Sequence, residues 1–260
     1  MTDGPLAPAH PRSRTEPYRI RFDEAGADGI ARASAVLAIA QDAAWRHSEA
    51  LGFTREWYAE RGLVWLVRSI AVHLAAPVAY GETVHVWTAV VGERRVMARR
   101  ESRVTAADGS MVAAVMTDWV LTDARGAPTR IPDDFTAWLL AGPATFEPLR
   151  VDRADPPASA STVRLSVRAR DLDPMGHVNN TVYADYFDEA VVAAGGTDAI
   201  VAFPRRYALE YVGSATYGDA LLAIAWPADG GWNHRLVRAE DGATLLRGTL
   251  GTLGTTAPPV

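Results

Sequence analysis

The sequence predicts an α+β protein made of two tandem units, in each of which an antiparallel sheet wraps one long helix. Three observations predict this fold class. The order strand, loop, helix and further strands occurs twice along the 260 residues. A short motif lies between the same two predicted strands of each unit, as PVAYGE at residues 77–82 and SATYGD at residues 214–219. A Pro- and Ala-rich stretch without periodicity separates the units.

These patterns also predict the domain boundaries. We expect a disordered tail over residues 1–15, a first unit over 16–138, a linker over 139–161 and a second unit over 162–254. One unit alone leaves sheet edge and helix flank exposed, so we expect the two to pair within the chain as a pseudo-dimer. A monomer and a homodimer of such chains both remain open.

In the first unit, a strand over residues 18–22 precedes a helix over 34–50. The helix has a broad apolar face, made of Val36, Leu37, Ile39, Ala40, Ala43 and Ala44. Gly52, just past its end, fits a helix stop. Strands are then predicted over 63–74, 83–91, 96–105 and 111–122, with a hairpin signal at residues 107–109, ADG.

The second unit repeats this order. A strand over residues 163–167 precedes a helix over 180–194, whose apolar residues recur at three- and four-residue steps. They are Tyr183, Tyr186, Phe187, Ala190, Val191 and Ala194, and Gly195 and Gly196 stop the helix. Strands follow over 205–211, 220–226, 234–239 and 244–252, with a matching turn, EDG, at 240–242. One helix with about five antiparallel strands is a hotdog unit; an α+β sandwich of another topology remains open, because periodicity does not fix strand order.

Composition excludes several classes of function. The net charge is −5, and an acidic chain is a poor nucleic-acid binder. No apolar run approaches the roughly 20 residues that span a bilayer, so we expect no membrane partner. The Pro- and Arg-rich N-terminal segment has no apolar core, so we expect a cytoplasmic protein. The absence of cysteine excludes disulfides, thiolate ligands and a cysteine nucleophile.

All 26 basic residues are arginine, and five lie close together in the first unit. They are Arg94, Arg95, Arg99, Arg100 and Arg103. Their spacing on paired strands is read first as a solvated face. The alternative is a landing patch for an acidic partner.

The chemistry is concentrated in DLDPMGHVNN at residues 171–180, just before the second helix. A carboxylate and an imidazole beside a helix N-terminus are suited to hydrolysis of an activated acyl group. Asp173 is the predicted nucleophile or general base, and His177 the group that orients the thioester or moves a proton. Asp171 is expected to stabilise the loop. Backbone N–H groups around Gly176 to Val178 are the expected oxyanion donors.

Further residues around this segment are candidates with strong structural alternatives. Asn179 is assigned to the catalytic group and Asn180 to substrate binding, although either also suits a helix cap. Tyr183 is a substrate-contact candidate, although a tyrosine one turn into a helix is more often part of the core. Glu210 and Ser214 are weaker candidates for a second acid and for water support.

We expect one active site per chain, because the corresponding loop of the first unit, residues 23–30, has acids but no HVNN. The first unit is then expected to supply an acyl cavity. Small residues on its helix leave space, and three tryptophans could close a tunnel: Ala38, Ala40, Ala43, Ala44, Trp45, Trp65 and Trp119. We expect no cofactor or metal, because phosphate-loop, dinucleotide, serine-elbow and zinc-ligand patterns are absent.

With these motifs the chain resembles the acyl-ACP thioesterase family of double-hotdog enzymes over about residues 18–252. The stretches that carry the resemblance are AIAQDAA at 38–44, GLVW at 62–65, PVAYGE, DWVL at 118–121, HVNNTVY at 177–183 and LEY at 209–211. The resemblance implies hydrolysis of a fatty acyl thioester on acyl carrier protein, with Asp173 as the catalytic aspartate.

The chain departs from the plant-type pattern of that family in two places. Met175 stands where the family carries an Asn, and Ser214 and Ala215 stand where it carries a Glu-Cys pair. The segment DPMG at 173–176 is more similar to single-hotdog acyl-CoA thioesterases. An acyl-CoA or aryl-CoA thioesterase and a catalytically silent acyl-carrier binder are therefore the alternatives, and a hotdog dehydratase fits less well.

Overall fold

The computed structural model describes residues 12–139, 145–151 and 153–252. The first unit contains five strands and three helices, and its main helix is α1. In chain order these are β1 (Arg14–Arg19), α1 (Ala33–Ala50), α2 (Arg55–Arg61), β2 (Val64–Leu74), β3 (Thr83–Arg94), β4 (Met97–Thr105), β5 (Met111–Thr122) and α3 (Asp133–Leu139).

The second unit contains five strands and two helices, of which α4 is the longer. In order they are β6 (Ser161–Ser166), α4 (Val182–Ala193), α5 (Thr197–Val201), β7 (Arg205–Tyr211), β8 (Ala220–Ala228), β9 (Gly231–Arg238) and β10 (Thr244–Thr252). The long helices α1 and α4 contact each other across the two units.

All ten strands form one antiparallel sheet in the order β1-β3-β4-β5-β2-β7-β10-β9-β8-β6. Counted outwards from the centre of the sheet, each strand of the first unit has a counterpart at the same position in the second unit. The corresponding strands are β2 and β7, β5 and β10, β4 and β9, β3 and β8, and β1 and β6. The two units therefore have the same topology, related by a pseudo-twofold axis between β2 and β7. This arrangement confirms two tandem hotdog units and rules out a sandwich of another topology.

The junction between the units is a strand pair with a buried ion pair beside it. Strands β2 and β7 pair from Ser69↔Glu210 to Leu74↔Arg205. The Arg68 guanidinium lies 2.6 Å from Glu210 Oε1 and donates a 2.5 Å hydrogen bond to the carbonyl of Tyr211. Since Glu210 is only 2% exposed, this contact joins the units below the surface.

The repeated motif has the same hydrogen bonds in both units. The N–H of Ala79 donates to the Glu82 carboxylate at 3.0 Å, and that of Thr216 donates to the Asp219 carboxylate at 2.9 Å. Gly81 and Gly218, the shared glycines, have φ values of 89° and 84°. Only glycine adopts this region without strain, which explains why the TyrGly step is kept in both copies.

The two helices bury side chains of different size. Helix α4 buries Tyr183, Tyr186 and Phe187, and the Phe187 ring stacks on His234 with centroids 4.5 Å apart. Helix α1 buries mainly aliphatic and small residues at the matching face. Aromatic rings thus fill the second unit between helix and sheet, while smaller side chains face the sheet in the first unit.

Several element ends differ from the sequence-based expectation. Strand β1 begins at Arg14, so residues 14–15 belong to the sheet and not to a tail; residues 1–11 lie outside the described part. The side chains of β1 alternate between half-buried and exposed positions, but most of them are polar. The sequence therefore shows no alternation of apolar and polar residues that would indicate a strand. Helix α4 begins at Val182 instead of Asn180, because residues 179–181 form a separate turn.

Three short helices were not predicted from periodicity. Helix α2 has a Thr54 cap, whose hydroxyl accepts the N–H of Trp57 at 3.3 Å, and a left-handed Gly62 at its end. Those two signals mark it in the sequence, but seven residues are too few to show a helical period. Among the described residues, no helix combines the length and apolar character that crossing a membrane requires.

Candidate active site

The DLDPMGHVNN segment forms a compact loop between β6 and α4. A 3₁₀ turn, Ala169–Asp171, starts the loop. Leu172 and Val178 form an isolated antiparallel bridge across it, and His177 forms another with Thr216. The loop is therefore anchored on one side to itself and on the other to the segment that precedes β8.

Asp171 is the buried anchor of this loop. Its carboxylate accepts hydrogen bonds from the Arg168 N–H and from the Tyr186 hydroxyl, each at 2.9 Å, and pairs with the Arg168 guanidinium at 3.2 Å. Burial acts to raise the pKa of Asp171, but the bonds from Arg168 and Tyr186 outweigh it and lower that pKa. Asp171 therefore has the loop-stabilising position expected from the sequence.

Asp173 lies half-buried at the mouth of the loop. Its Oδ1 accepts the N–H of Met175 at 2.8 Å and, at 3.4 Å, that of His177. Its Oδ2 accepts no hydrogen bond from the described residues. One oxygen thus holds the loop and the other is available to a water molecule or an acyl carbon.

The backbone N–H groups expected to hold the oxyanion are engaged within the loop. The N–H of Gly176 donates to the Asp173 carbonyl at 3.0 Å, and that of Val178 donates to the Ala215 carbonyl at 2.9 Å. The expectation that Gly176 and Val178 offer these donors to substrate is therefore corrected. Gly176 is needed for its φ of 79°, which closes the turn.

His177 is half-buried, and its ring makes no hydrogen bond to the described residues. Its carbonyl accepts the Asp173 N–H at 2.8 Å, which places the two residues on opposite sides of one tight turn. The backbone N–H of His177 lies 3.4 Å from Asp173 Oδ1, so the two residues share one turn, and both ring nitrogens of His177 remain available to substrate.

The two asparagines have different surroundings. Asn179 Oδ1 accepts both the N–H and the hydroxyl of Thr181 at 3.0 Å, as a side chain that shapes a turn does. Asn180 uses its backbone carbonyl, which accepts the Tyr211 hydroxyl at 2.7 Å. The side-chain amide of Asn180 has no such structural bond, so it is the better placed of the two for substrate.

Tyr183 is part of the core. It is 1% exposed, and its hydroxyl accepts the N–H of Ala215 at 3.0 Å. Burial, with a smaller contribution from the nearby Asp173 charge, raises the pKa of Tyr183 to about 12. The substrate-contact role expected for Tyr183 is corrected to support of the segment that carries Ser214 and Ala215.

The first unit contains the same loop without its acid and histidine. Gly26 N donates to the Ile30 carbonyl at 2.9 Å, as Asp173 N does to His177. Gly29 N donates to Gly26 O, and Ala31 N to Val78 O, matching the bonds of Gly176 and Val178. Gly26 and Ile30 therefore stand where Asp173 and His177 stand in the second unit.

A narrow cleft lies in the first unit between α1 and the sheet; its enclosed volume is only about 10 Å³, against about 300 Å³ when the solvent space at its mouth is counted. It is lined by Leu37, Ala40, Gln41, Ala44, Val67, Ile70, Arg100, Ser102, Val115, Thr117 and Trp119. Ala40, Ala44 and Trp119 were among the residues expected there. Ala38 and Trp45 instead face outward, and Ala43 and Trp65 pack in hydrophobic clusters.

The arginine group around the turn between β3 and β4 is divided, because Arg94 and Arg95 are exposed, Arg99 and Arg103 are half-buried and only Arg100 is buried. Arg99 binds Asp118 through two nitrogens at 2.7 and 2.9 Å, and Arg103 pairs with Glu101. Arg100 points inward and is 6% exposed. The sequence analysis missed Arg100 as a cleft residue, although its alternation with Ala98 and Ser102 on β4 was the available signal.

The weaker candidates also have defined places. Glu210 pairs with Arg68 through Oε1 at 2.6 Å, so it serves the junction between the units, while its buried Oε2 lies 3.8 Å from Arg247 and accepts no hydrogen bond from the described residues. Ser214 is exposed beside the loop, next to the fully buried Ala215. Within the described residues, no three His, Asp or Glu side chains are grouped to hold a metal ion.

Two hotdog units joined in one chain, with an acid–histidine loop in the second and a cleft in the first, define a double-hotdog protein of the thioesterase type. Models of the acyl-ACP thioesterase N-terminal and C-terminal domains match residues 11–139 and 155–245. The chain therefore belongs to the acyl-ACP thioesterase family.

Individual relatives are distant. The chloroplastic palmitoyl-acyl carrier protein thioesterase of Cuphea hookeriana is 26% identical over 253 residues, covering 89% of this chain and 60% of the relative. The chain thus spans about three fifths of the length of that curated relative. The 12:0-ACP thioesterase from Umbellularia californica superposes with a TM-score of 0.78 at 22% identity, covering 93% of this chain and 97% of that one. An acyl-ACP thioesterase from Bacteroides thetaiotaomicron gives a TM-score of 0.76 at 16% identity, with 92% and 97% covered.

Proposed function

We propose that the protein hydrolyses fatty acyl thioesters of acyl carrier protein to a free fatty acid and the carrier. The observation that carries this proposal is the pairing of Asp173 and His177 on one exposed loop, whose counterpart in the first unit lacks both. Family membership supports the same reaction.

Asp173 is the group that starts the reaction. Its Oδ2 either attacks the thioester carbon or removes a proton from a water molecule that does so. The C–S bond then breaks, and the carrier thiolate takes up a proton. In the first route a water molecule then hydrolyses the anhydride formed between the acyl group and Asp173, which releases the fatty acid and restores the carboxylate. In the second route the water oxygen becomes part of the fatty acid, and the proton that Asp173 removed passes to the thiolate. His177, beside Asp173 with both ring nitrogens available, is placed to donate that proton or to hold the thioester.

The oxyanion requires a donor outside the backbone of residues 176–178, since those N–H groups are engaged. The side-chain amide N–H groups of Asn179 and Asn180 and an N–H of the His177 ring are the donors nearest in sequence that make no hydrogen bond to the described residues. Loss of one oxyanion donor in hydrolases costs roughly a hundred- to a thousandfold in rate.

The acyl chain is proposed to enter the cleft of the first unit. Two contacts support this path. Ile70, in the cleft wall, pairs with Leu209 across β2 and β7. Further along β7, the Tyr211 hydroxyl bonds to the carbonyl of Asn180 in the loop. Packing supports it as well, because aromatic rings fill the matching region of the second unit.

The test is steady-state hydrolysis of acyl-ACP and acyl-CoA thioesters by the protein and its Asp173→Asn and Asp173→Ala variants. Asn keeps an oxygen acceptor for the Met175 N–H and removes only the charge. We expect a loss of at least about a thousandfold in kcat for both variants, with a native melting temperature for Asp173→Asn. Asp28→Asn, in the first-unit loop, is the matched control and should retain activity. Full activity of Asp173→Asn and Asp173→Ala contradicts the assignment.

An acyl-CoA thioesterase is the second candidate. The exposed Met175, in place of the amide found in the plant-type pattern, is the observation that favours it. A higher kcat/KM for the CoA thioester of the same chain would select this candidate. Carrier binding without turnover of either thioester would indicate a silent binding protein. A cytoplasmic location and the oligomeric state stay predictions from the sequence.

A further inference from the structure

The cleft of the first unit contains a buried positive charge. The Arg100 guanidinium donates to the His47 ring at 2.8 Å and approaches the Thr88 and Ser48 hydroxyls at 3.4 and 3.5 Å. A histidine ring nitrogen or a hydroxyl oxygen that accepts an N–H hydrogen bond carries no charge, so these contacts do not neutralise the guanidinium. Among the described residues, no carboxylate forms an ion pair with Arg100, whereas Arg99 and Arg103 on the same strand each have one.

An unpaired charge at this depth is unfavourable. Burial lowers the pKa of Arg100 to about 10, yet the group stays cationic near neutral pH. Buried charges in proteins are ordinarily paired or bound to a ligand of opposite character. The charge is therefore incompletely compensated in the protein without ligand.

The surroundings of Arg100 are more polar than a plain hydrocarbon slot requires. Thr117 lies directly across from Arg100 on β5, and Ser102 and Gln41 also line the cleft. Ligand sites are mostly apolar, with a few polar groups that fix orientation. Here these polar groups share the lining of the cleft with one guanidinium and with the apolar residues Leu37 and Ile70.

We propose that this cleft selects acyl chains that carry an oxygen acceptor, a hydroxyl or a carboxylate, at the distance that reaches Arg100. The proposal rests on the proposed thioesterase function, since the acyl chain is delivered from the Asp173 loop. A charge-assisted hydrogen bond from the guanidinium to that oxygen would compensate the buried cation. A saturated chain of the same length leaves the cation uncompensated and removes its access to water.

The experiment uses the whole protein and carrier-protein thioesters in matched pairs. Each pair shares one chain length, and the members end in a methyl group, a hydroxyl or a carboxylate. We expect kcat/KM for the oxygenated member to exceed that of the saturated member by about ten- to a hundredfold at one length. A preference for the saturated chain at every length overturns this inference and leaves the thioesterase proposal intact. A lack of turnover of all members overturns both.

Variants of Arg100 separate recognition from folding. Arg100→Met should reverse the preference, because the saturated chain gains an apolar contact and the oxygenated chain loses its donor. Arg100→Lys should keep part of it. Arg103→Met, on the same strand but the other face, is the matched control and should leave the ratio unchanged. An unchanged ratio in Arg100→Met overturns the proposal.

A stability measurement guards against a variant that simply unfolds. Replacing an uncompensated buried cation with an apolar side chain should leave the melting temperature of Arg100→Met equal to or above that of the parent protein. If Arg100→Met does not fold, the ratio measured with Arg100→Lys decides. A ratio in Arg100→Lys equal to that of the parent protein would count against a planar guanidinium as the recognition group.

Discussion

Asp173 and Gly26 hold the same position in two copies of one backbone loop. The N–H of each donates to the carbonyl four residues later, at 2.8 Å to His177 and at 2.9 Å to Ile30. Each loop is also fixed by a buried acid at its start, Asp171 in one copy and Glu24 in the other. The fold thus provides a control copy of the active loop inside the same chain, and several predictions use it.

Asp171 and Glu24 should be equally important for stability but not for catalysis. Asp171→Asn and Glu24→Gln each replace a buried carboxylate that accepts a tyrosine hydroxyl and the backbone N–H of the residue three positions earlier. We expect each to lower the free energy of unfolding by about 1–3 kcal/mol. Denaturant unfolding gives this value. Only Asp171→Asn should also reduce kcat; an equal reduction by both would show that turnover merely follows stability.

Gly176 and Gly29 provide a second matched pair, with φ values of 79° and 78°. A Cβ placed on Gly176 meets no atom within 4 Å, so the cost of Gly176→Ala comes from the backbone conformation alone. We expect each alanine variant to lose about 1–2 kcal/mol of stability. Hydrolysis should fall for Gly176→Ala and remain near the parent value for Gly29→Ala. Retained activity in Gly176→Ala would show that the geometry of the turn does not position Asp173.

The cleft should set the length of the acyl chain. Ala40 lines it, whereas Ala38 is exposed on the same helix. Ala40→Leu should lower kcat/KM for the longest accepted chain by at least about tenfold and leave shorter chains unaffected. The larger side chain would occupy the space of acyl methylene groups, and the burial of each such group contributes about 0.8 kcal/mol. Ala38→Leu is the control. A chain-length profile identical in Ala40→Leu and the parent protein would place the acyl chain elsewhere.

Asp188 should make stability fall as pH rises. Its carboxyl accepts the Tyr207 hydroxyl at 2.8 Å, and burial raises the pKa of Asp188 to about 7. The folded protein therefore keeps a proton that the unfolded chain has released above about pH 4. Stability should drop by up to about 1.4 kcal/mol per pH unit between about pH 4 and 7, then level off.

The check is urea unfolding across this pH range with Asp188→Asn and, as control, Glu189→Gln on the exposed face of the same helix. The Asn variant keeps an acceptor for Tyr207 and has no proton to release. Its stability should therefore exceed that of the parent protein at neutral pH and converge with it at acid pH. If the parent protein were instead more stable than Asp188→Asn at neutral pH, Asp188 would be ionised in the folded state.

Much of the architecture could be predicted because its signals are local. Helix periods, hairpin glycines and the repeated TyrGly motif each depend on residues close in sequence, and all appear in the structure. The engagement of the Val178 N–H by Ala215 could not be predicted, because it joins residues far apart in the chain. The inward position of Arg100 was obscured by the charged residues on either side of it, which present an apparently continuous polar strand.

Within the candidate site, the sequence indicated the right segment but not how its polar groups are divided. Asn179 and Asn180 are equivalent as sequence letters, yet one shapes a turn and the other keeps an available amide. Tyr183 likewise fits both a core and a ligand position by spacing. Only the contacts with Thr181 and Ala215 separate these roles.

The junction between β2 and β7 also affects how chains of this protein meet one another. It places the longest strands inside the sheet and leaves β1 and β6, of six residues each, at its two ends. Strand β1 also contains Pro17, which has no N–H to donate. The two end strands, β1 and β6, are therefore poor templates for an added strand. We therefore predict that joining the two units in one chain disfavours the pairing of two chains by extension of the sheet.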